Sequence, residues 1–158
     1  MPSQSGAADS PLPAMREPLT DDALIRVQAM AIHAICSRLT AGQLEALRRS
    51  VEQACLMPKH IGWDRKATAH AEIFGLLADA ADHPVLAQTL HSGTGLVHRL
   101  MMRAGPTADM ITANSRKRLL ALLSADDPKG AAHEMERHLM TVHFIGRLIA
   151  CSSPGAGL

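Results

Sequence analysis

HAEIFGLLADAADHP, residues 70–84, decides the fold class because it carries both a helical interior and a helical boundary. His70, Phe74, Leu77 and Ala81 recur at the spacing that lines one face of an α-helix. Asp82-His83-Pro84 then reads as a stop and a fresh start. Proline suits a first helical turn, where its missing N–H costs no hydrogen bond. Core helix with ordinary punctuation accounts for the whole stretch. The two histidines within it, His70 and His83, also admit a ligand role.

The same signals continue outward. Thr20, Asp21 and Asp22 put a cap and negative charge at the start of a helix from about Asp21 to Leu39. Its predicted inner stripe is Leu24, Val27, Ala31, Ile35 and Leu39. Thr40-Ala41-Gly42-Gln43 is a capping-box pattern. It opens a second helix with Leu44, Leu47, Val51 and Cys55 inward and Glu45, Arg48, Arg49 and Glu52 on a solvated face. A third helix is expected from Trp63 to Ala81. A fourth runs from Pro84 to Gly105-Pro106 with Leu86, Leu90, Val97, Leu100 and Met101 inward. Gly93-Thr94-Gly95 predicts either a kink in it or a close approach to another backbone or a ligand. A fifth helix covers about Ala108 to Ser124. A sixth begins at Asp127-Pro128 and reaches about Ala150, with Met135, His138, Val142, Ile145 and Ile149 on one stripe.

Short connections between long helices predict an all-α fold, an antiparallel bundle of about six helices. Composition agrees. The 158 residues hold one Trp, two Phe and no Tyr, too few aromatics for the pleated faces of a β-rich domain. Residues 1–19 are rich in Pro, Ser, Gly and Ala and are expected to be a flexible arm or linker remnant. Residues 152–158 are expected to be a disordered tail, leaving 20–151 as the helical domain. A net charge of +1 gives no basic nucleic-acid surface. Three cysteines without metal-type spacing, and no long apolar span, predict a reduced cytoplasmic protein without a membrane segment.

Nine histidines raise the question of a metal. His133-Glu134-Met135-Glu136-Arg137-His138 resembles a zinc-protease motif, but its second histidine lies five residues on rather than four. Five residues turn about 500° around a helix, so His133 and His138 point to different faces and the motif is rejected. His138 and His70 each lie on an apolar stripe, where a hydrogen-bonded core histidine is the ordinary outcome. His91 and His98, seven apart, share one face of the fourth helix and are weaker candidates. The sequence holds no nucleophile elbow, phosphate-binding glycine loop or CxxC, and no enzyme is expected. Cys36, beside an apolar stripe, reads as a buried inert thiol.

Three stretches together resemble a known family. Ala34-Ile35-Cys36-Ser37-Arg38-Leu39-Thr40, continued by Gln43-Leu44 and Leu47, is similar to the first-helix ending and T-x-x-[EQ]-L-x-x-L continuation of the FadR C-terminal (FCD) domain of GntR-type transcription regulators. HAEIFGLLADAADHPVL, residues 70–86, resembles its D-x-x-F-H-x-x-L-x-x-A-x-x-N-P-x-L. KRLLALLSADDPKGAAHEMERHL, residues 117–139, resembles its last motif, with Asp127, Ala131, Met135 and His138 at matching positions.

The resemblance implies a helical bundle that binds a small effector inside and dimerises. It also implies a divalent metal held by an Asp and three His, but carried over residue by residue those positions read His70, Phe74, Lys117 and His138. Phenylalanine cannot ligate, and a charged lysine has no free lone pair. No cofactor is therefore expected; were a zinc or nickel ion held, His70 and His138 would ligate it. The expected reading is an effector-sensing homodimer that takes a small organic, apolar or acyl-type acid at His70, Phe74, Lys117 and His138, with Lys117 or Arg116 at the mouth. No winged helix is recognisable before residue 20, so specific DNA binding is not expected of this chain. The rival readings are a histidine metalloprotein built on His70 and His138, and a ligand-free helical module that forms mixed dimers with a full-length regulator.

Overall fold

The protein is described by a computed structural model covering residues 19–153. Seven α-helical segments make a bundle, with no strand among the described residues: α1 (Asp21–Cys36), α2 (Ala41–Leu56), α3 (Trp63–Ala71), α4 (Ile73–Ala80), α5 (Pro84–Ala104), α6 (Ala108–Ser124) and α7 (Pro128–Ser152). A single 3-10 turn, Lys59–Ile61, links α2 to α3. The expectations for the N-terminal arm and for residues 154–158 fall outside the described residues, apart from Leu19. α7 runs into the first residue of the expected tail.

The sequence caps form as read. Thr40 and Gln43 make the reciprocal capping box at 3.2 and 2.8 Å, and Asp127 accepts from the Gly130 N–H at 2.9 Å. His83 caps α5 through Nδ1, which accepts from the Val85 N–H, with Pro84 in the first turn. That answers for one of the two histidines in the 70–84 stretch: His83 is exposed punctuation.

Two expectations are corrected. The single helix from Trp63 to Ala81 is divided at Glu72, whose N–H bonds back three residues to Ala69. Its backbone stays right-handed (φ −60°, ψ −25°), so α3 and α4 follow one another through one tightened turn. The inner face of α1 is also turned from the predicted stripe. Ile25, Gln28, Ile32 and Ile35 are buried, whereas Val27 is exposed. Gln28 misled the pattern because a polar residue lies on the core side, its amide donating to the Thr89 carbonyl at 2.8 Å.

α7 packs against α1, α5 and α6, and α5 packs in turn against α3 and α4. Its burial draws on Ala131, Met135, Leu139 and Val142, all with no exposed surface. The Gly93-Thr94-Gly95 run does not kink α5, which is helical throughout. Gly93 is instead a close approach. A Cβ there would meet the Phe74 ring and the Gln28 amide at well under contact distance, whereas one on Gly95 would meet nothing within 4 Å. The two glycines should therefore answer oppositely to alanine. Gly93→Ala is expected to lower stability by about 1–3 kcal/mol despite the better helix propensity. Gly95→Ala is expected to raise it by roughly 0.5–1 kcal/mol. Urea unfolding of the two variants checks both signs.

Candidate functional site

α6 has an unusual inner face. Asp109, Thr112 and Arg116 lie at i, i+3 and i+7, one polar stripe pointed at the bundle interior, continued by Leu119 and Leu123. Thr112 and Arg116 are buried, and Asp109 is half-buried at the start of the helix. α3 brings His70, α4 brings Phe74 and α7 brings His138 to this stripe. His70 and His138 are 1% exposed and Phe74 is wholly buried.

The contacts fix much of the chemistry. Asp109 divides its carboxylate, with Oδ1 2.9 Å from His70 Nε2 and Oδ2 2.5 Å from Lys66 Nζ. Burial works against its charge, but the bonds from Lys66 and His70 outweigh that and hold its carboxyl below the ordinary value. An ionised Asp109 can only accept, so His70 Nε2 carries a proton and donates. His138 places Nε2 2.9 Å from Thr112 Oγ1 and Nδ1 3.4 Å from Arg116 Nη1. Guanidinium can only donate, so Nδ1 is the acceptor and the imidazole is the neutral Nε2–H tautomer. Arg116 lies with its Cζ 5.8 Å from the centre of the Phe74 ring.

Burial pushes His138 well below the usual imidazole value, and the Arg116 charge acts in the same direction. Burial lowers His70 also, against the opposing hydrogen bond of Asp109. Arg116 is brought down to about 10 by burial and remains a cation at neutral pH. The cluster is thus one fixed positive charge, two neutral imidazoles and an aromatic face.

His70, Phe74 and His138 are brought together as the sequence predicted. Lys117 is not. It is exposed, and its neighbour Arg116 occupies the interior, because one residue of offset turns a side chain by about 100°. His91 is exposed as well, and His98 is partly exposed with Nε2 2.8 Å from Asp64 Oδ1, so neither joins the cluster. Asp109 was missed. Its signal was available in the i, i+3, i+7 polar register with Thr112 and Arg116.

Beside the cluster, a half-enclosed pocket of about 390 Å³ lies between the starts of α3 and α6, with Trp63, Lys66, Asp109 and Met110 among its walls. Its inner wall, Asp109, is one hydrogen bond from His70. A larger and more open groove of about 750 Å³ runs between α1 and α5, past Val27, Met30 and Val85. Neither His70, Phe74, Arg116 nor His138 lines that groove, so size does not mark the polar site.

The divalent metal implied by the family resemblance does not fit these residues. The His138 lone pair is directed at a guanidinium, His70 Nε2 is committed to Asp109, and the fixed Arg116 charge acts against a second cation at both rings. Among the described residues no group of three or more His, Cys, Asp or Glu is arranged to hold an ion.

The depressed imidazoles set a pH dependence. Unfolded, each takes a proton near 6.5; folded, each resists protonation to a lower pH. Between those limits the unfolded chain binds more protons, so stability is complete above the unfolded value and is lost as pH falls below it. Each histidine contributes up to about 1.4 kcal/mol per pH unit in that window. Denaturant unfolding between about pH 7 and 5 should show this loss, with a shallower slope in His138→Gln.

No curated protein and no solved structure matches the chain. A family model, the FCD domain, matches residues 22–141, which takes in every residue of the cluster and five of the seven helices in full. FCD domains are typically the effector-binding domains of GntR-family regulators, regulatory modules rather than a known enzyme family. The chain belongs to the FCD domain family.

Proposed function

We propose that this chain senses a small organic acid inside the helical bundle and acts as the effector-binding, dimerising part of a GntR-type regulatory system in the cytoplasm. The observation that carries the reading is the buried polar cluster. His70, Arg116 and His138 are almost fully withdrawn from water, yet His70 Nδ1 and Arg116 Nε and Nη2 have no hydrogen-bond partner among the described residues. Unpaired buried groups of this kind cost stability, and a ligand carboxylate would accept from the two guanidinium N–H groups, whereas His70 Nδ1, a lone pair, would need a donor. The apolar surroundings, Phe74 and Met135, suit the hydrocarbon part of an organic acid. The Trp63 pocket, with Lys66 on its wall, supplies the entrance.

Self-association has separate support. Val27, Met30 and Val85 are exposed apolar side chains along one groove, the kind of surface that a second chain covers. No helix is long and apolar enough to cross a membrane. The metalloprotein alternative is weakened by the donor set. A ligand-free interaction module remains the competitor, and the apolar groove is the observation in its favour.

The two readings separate in one experiment. Purified protein is screened by thermal unfolding against a library of small acids, amines and neutral compounds, and its mass in solution is read by light scattering. The expected result is a dimer whose Tm rises with members of the acid class. A dimer that no compound of any class stabilises would favour the interaction module. A monomer would remove the dimerising part of the proposal.

A further inference from the structure

The two unpartnered nitrogens of Arg116 lie on the same edge of its guanidinium. Nη1, on the other side, points to His138 Nδ1 at 3.4 Å and to Met135 Sδ at 4.0 Å. Nε and Nη2 meet no acceptor, though the side chain is 1% exposed. That edge presents two parallel N–H groups, the fork that matches both oxygens of one carboxylate.

The carboxylates of Glu134 and Asp109 are spent elsewhere. Glu134, whose charge reaches Arg116, is taken by Arg118 at 2.8 Å and by two nitrogens of Arg137. Asp109 is divided between Lys66 and His70. Among the described residues the buried guanidinium therefore has no counter-ion in contact, an arrangement that costs stability. Three of the six buried side-chain polar atoms without a partner among the described residues belong to Arg116 and His70.

Resting on the effector-sensing reading, we propose that Arg116 is the effector anchor: its Nε–Nη2 edge binds the carboxylate of a small monocarboxylic acid directly, with no metal between them. A single fixed charge balances a single carboxylate. A phosphate dianion would bring a second charge and a third oxygen into a site walled by Phe74 and Met135, with one fork to receive them. The acid's apolar part lies against that ring and thioether.

The test uses the full chain, stripped with a chelator, and three probes of increasing size: acetate, hexanoate and benzoate. Hexanamide and inorganic phosphate are the controls. At least one carboxylate is expected to raise Tm without added metal, and neither control should do so. Arg116→Met should weaken that carboxylate's binding by calorimetry by at least about tenfold. Its own ligand-free Tm should match or exceed the parent's, because an unpaired buried charge has been removed. Arg116→Lys keeps the charge without the fork and should also bind more weakly; it serves if the methionine variant does not fold.

Equal carboxylate binding in Arg116→Met or Arg116→Lys would overturn the proposal. So would a response to hexanamide as large as that to hexanoate, or a response that needs added zinc. Any of these leaves the effector-sensing reading standing, since a small molecule still binds. The absence of stabilisation by all three acids would overturn the anchor, and the wider compound screen then decides the broader reading.

Discussion

The arrangement of the interior turns on a missing methyl group. At Gly93 the backbone of α5 lies against the Phe74 ring and the Gln28 amide, leaving no room for a Cβ. Phe74 is thereby seated between α5 and the rest of the core, and its ring is the surface over which the Arg116 guanidinium lies. The guanidinium in turn selects the tautomer of His138, and that tautomer presents a donor to Thr112. A steric allowance on one helix is passed as packing to a second and as hydrogen-bond polarity to two more.

The electrostatics follow from where each charge is placed relative to water. Lys66 and Asp109 pair with each other near the surface, where both keep some contact with solvent. Arg116 is sealed further in, and Glu134, whose charge reaches it, is held by Arg118 and Arg137. The imidazoles respond by staying neutral. A second positive charge beside a buried first would be costly, and desolvation works in the same direction. The chain has thus concentrated one uncompensated charge in its core while keeping every other ionisable group there neutral or paired.

Much of this was legible in the sequence. Thr40 with Gln43, Pro84 and Asp127-Pro128 marked helix starts by the backbone groups they satisfy or omit. His70, Phe74 and His138 declared their direction because each sits within a clean apolar stripe. The failures occurred where the stripe itself is polar. Gln28 and Arg116 are core residues by position but not by chemistry, so a hydrophobic pattern steps around them. It rotated α1 toward Val27, and the residue-by-residue carry-over of the family motif put Lys117 where Arg116 lies. Between adjacent basic residues only register decides. Arg116 is in step with Leu119 and Leu123, whereas Lys117 is in step with the exposed Ala121 and Ser124. Asp109 shares the inward register of Thr112 and Arg116, but its role rests on Lys66 and His70 of α3, about forty residues earlier, and that pairing no local periodicity reveals.

One helix carries both the carboxylate that faces the outer pocket and the cation that lies in the core. Asp109 and Arg116 are seven residues apart on α6, two turns and roughly 10 Å along a single rod. Neither can be moved without the other. The rod's phase is pinned at its far end as well, where Asp126, in a left-handed conformation at φ 52°, accepts a hydrogen bond from Ser37 at the end of α1. Insertion or loss of one residue between Asp109 and Arg116 would turn one of the two by about 100° relative to the other, so that both could no longer face inward together. In evolutionary terms α6 can change its letters but not its length, and lineages of this domain should diversify by substitution on that rod and by insertion only beyond its ends.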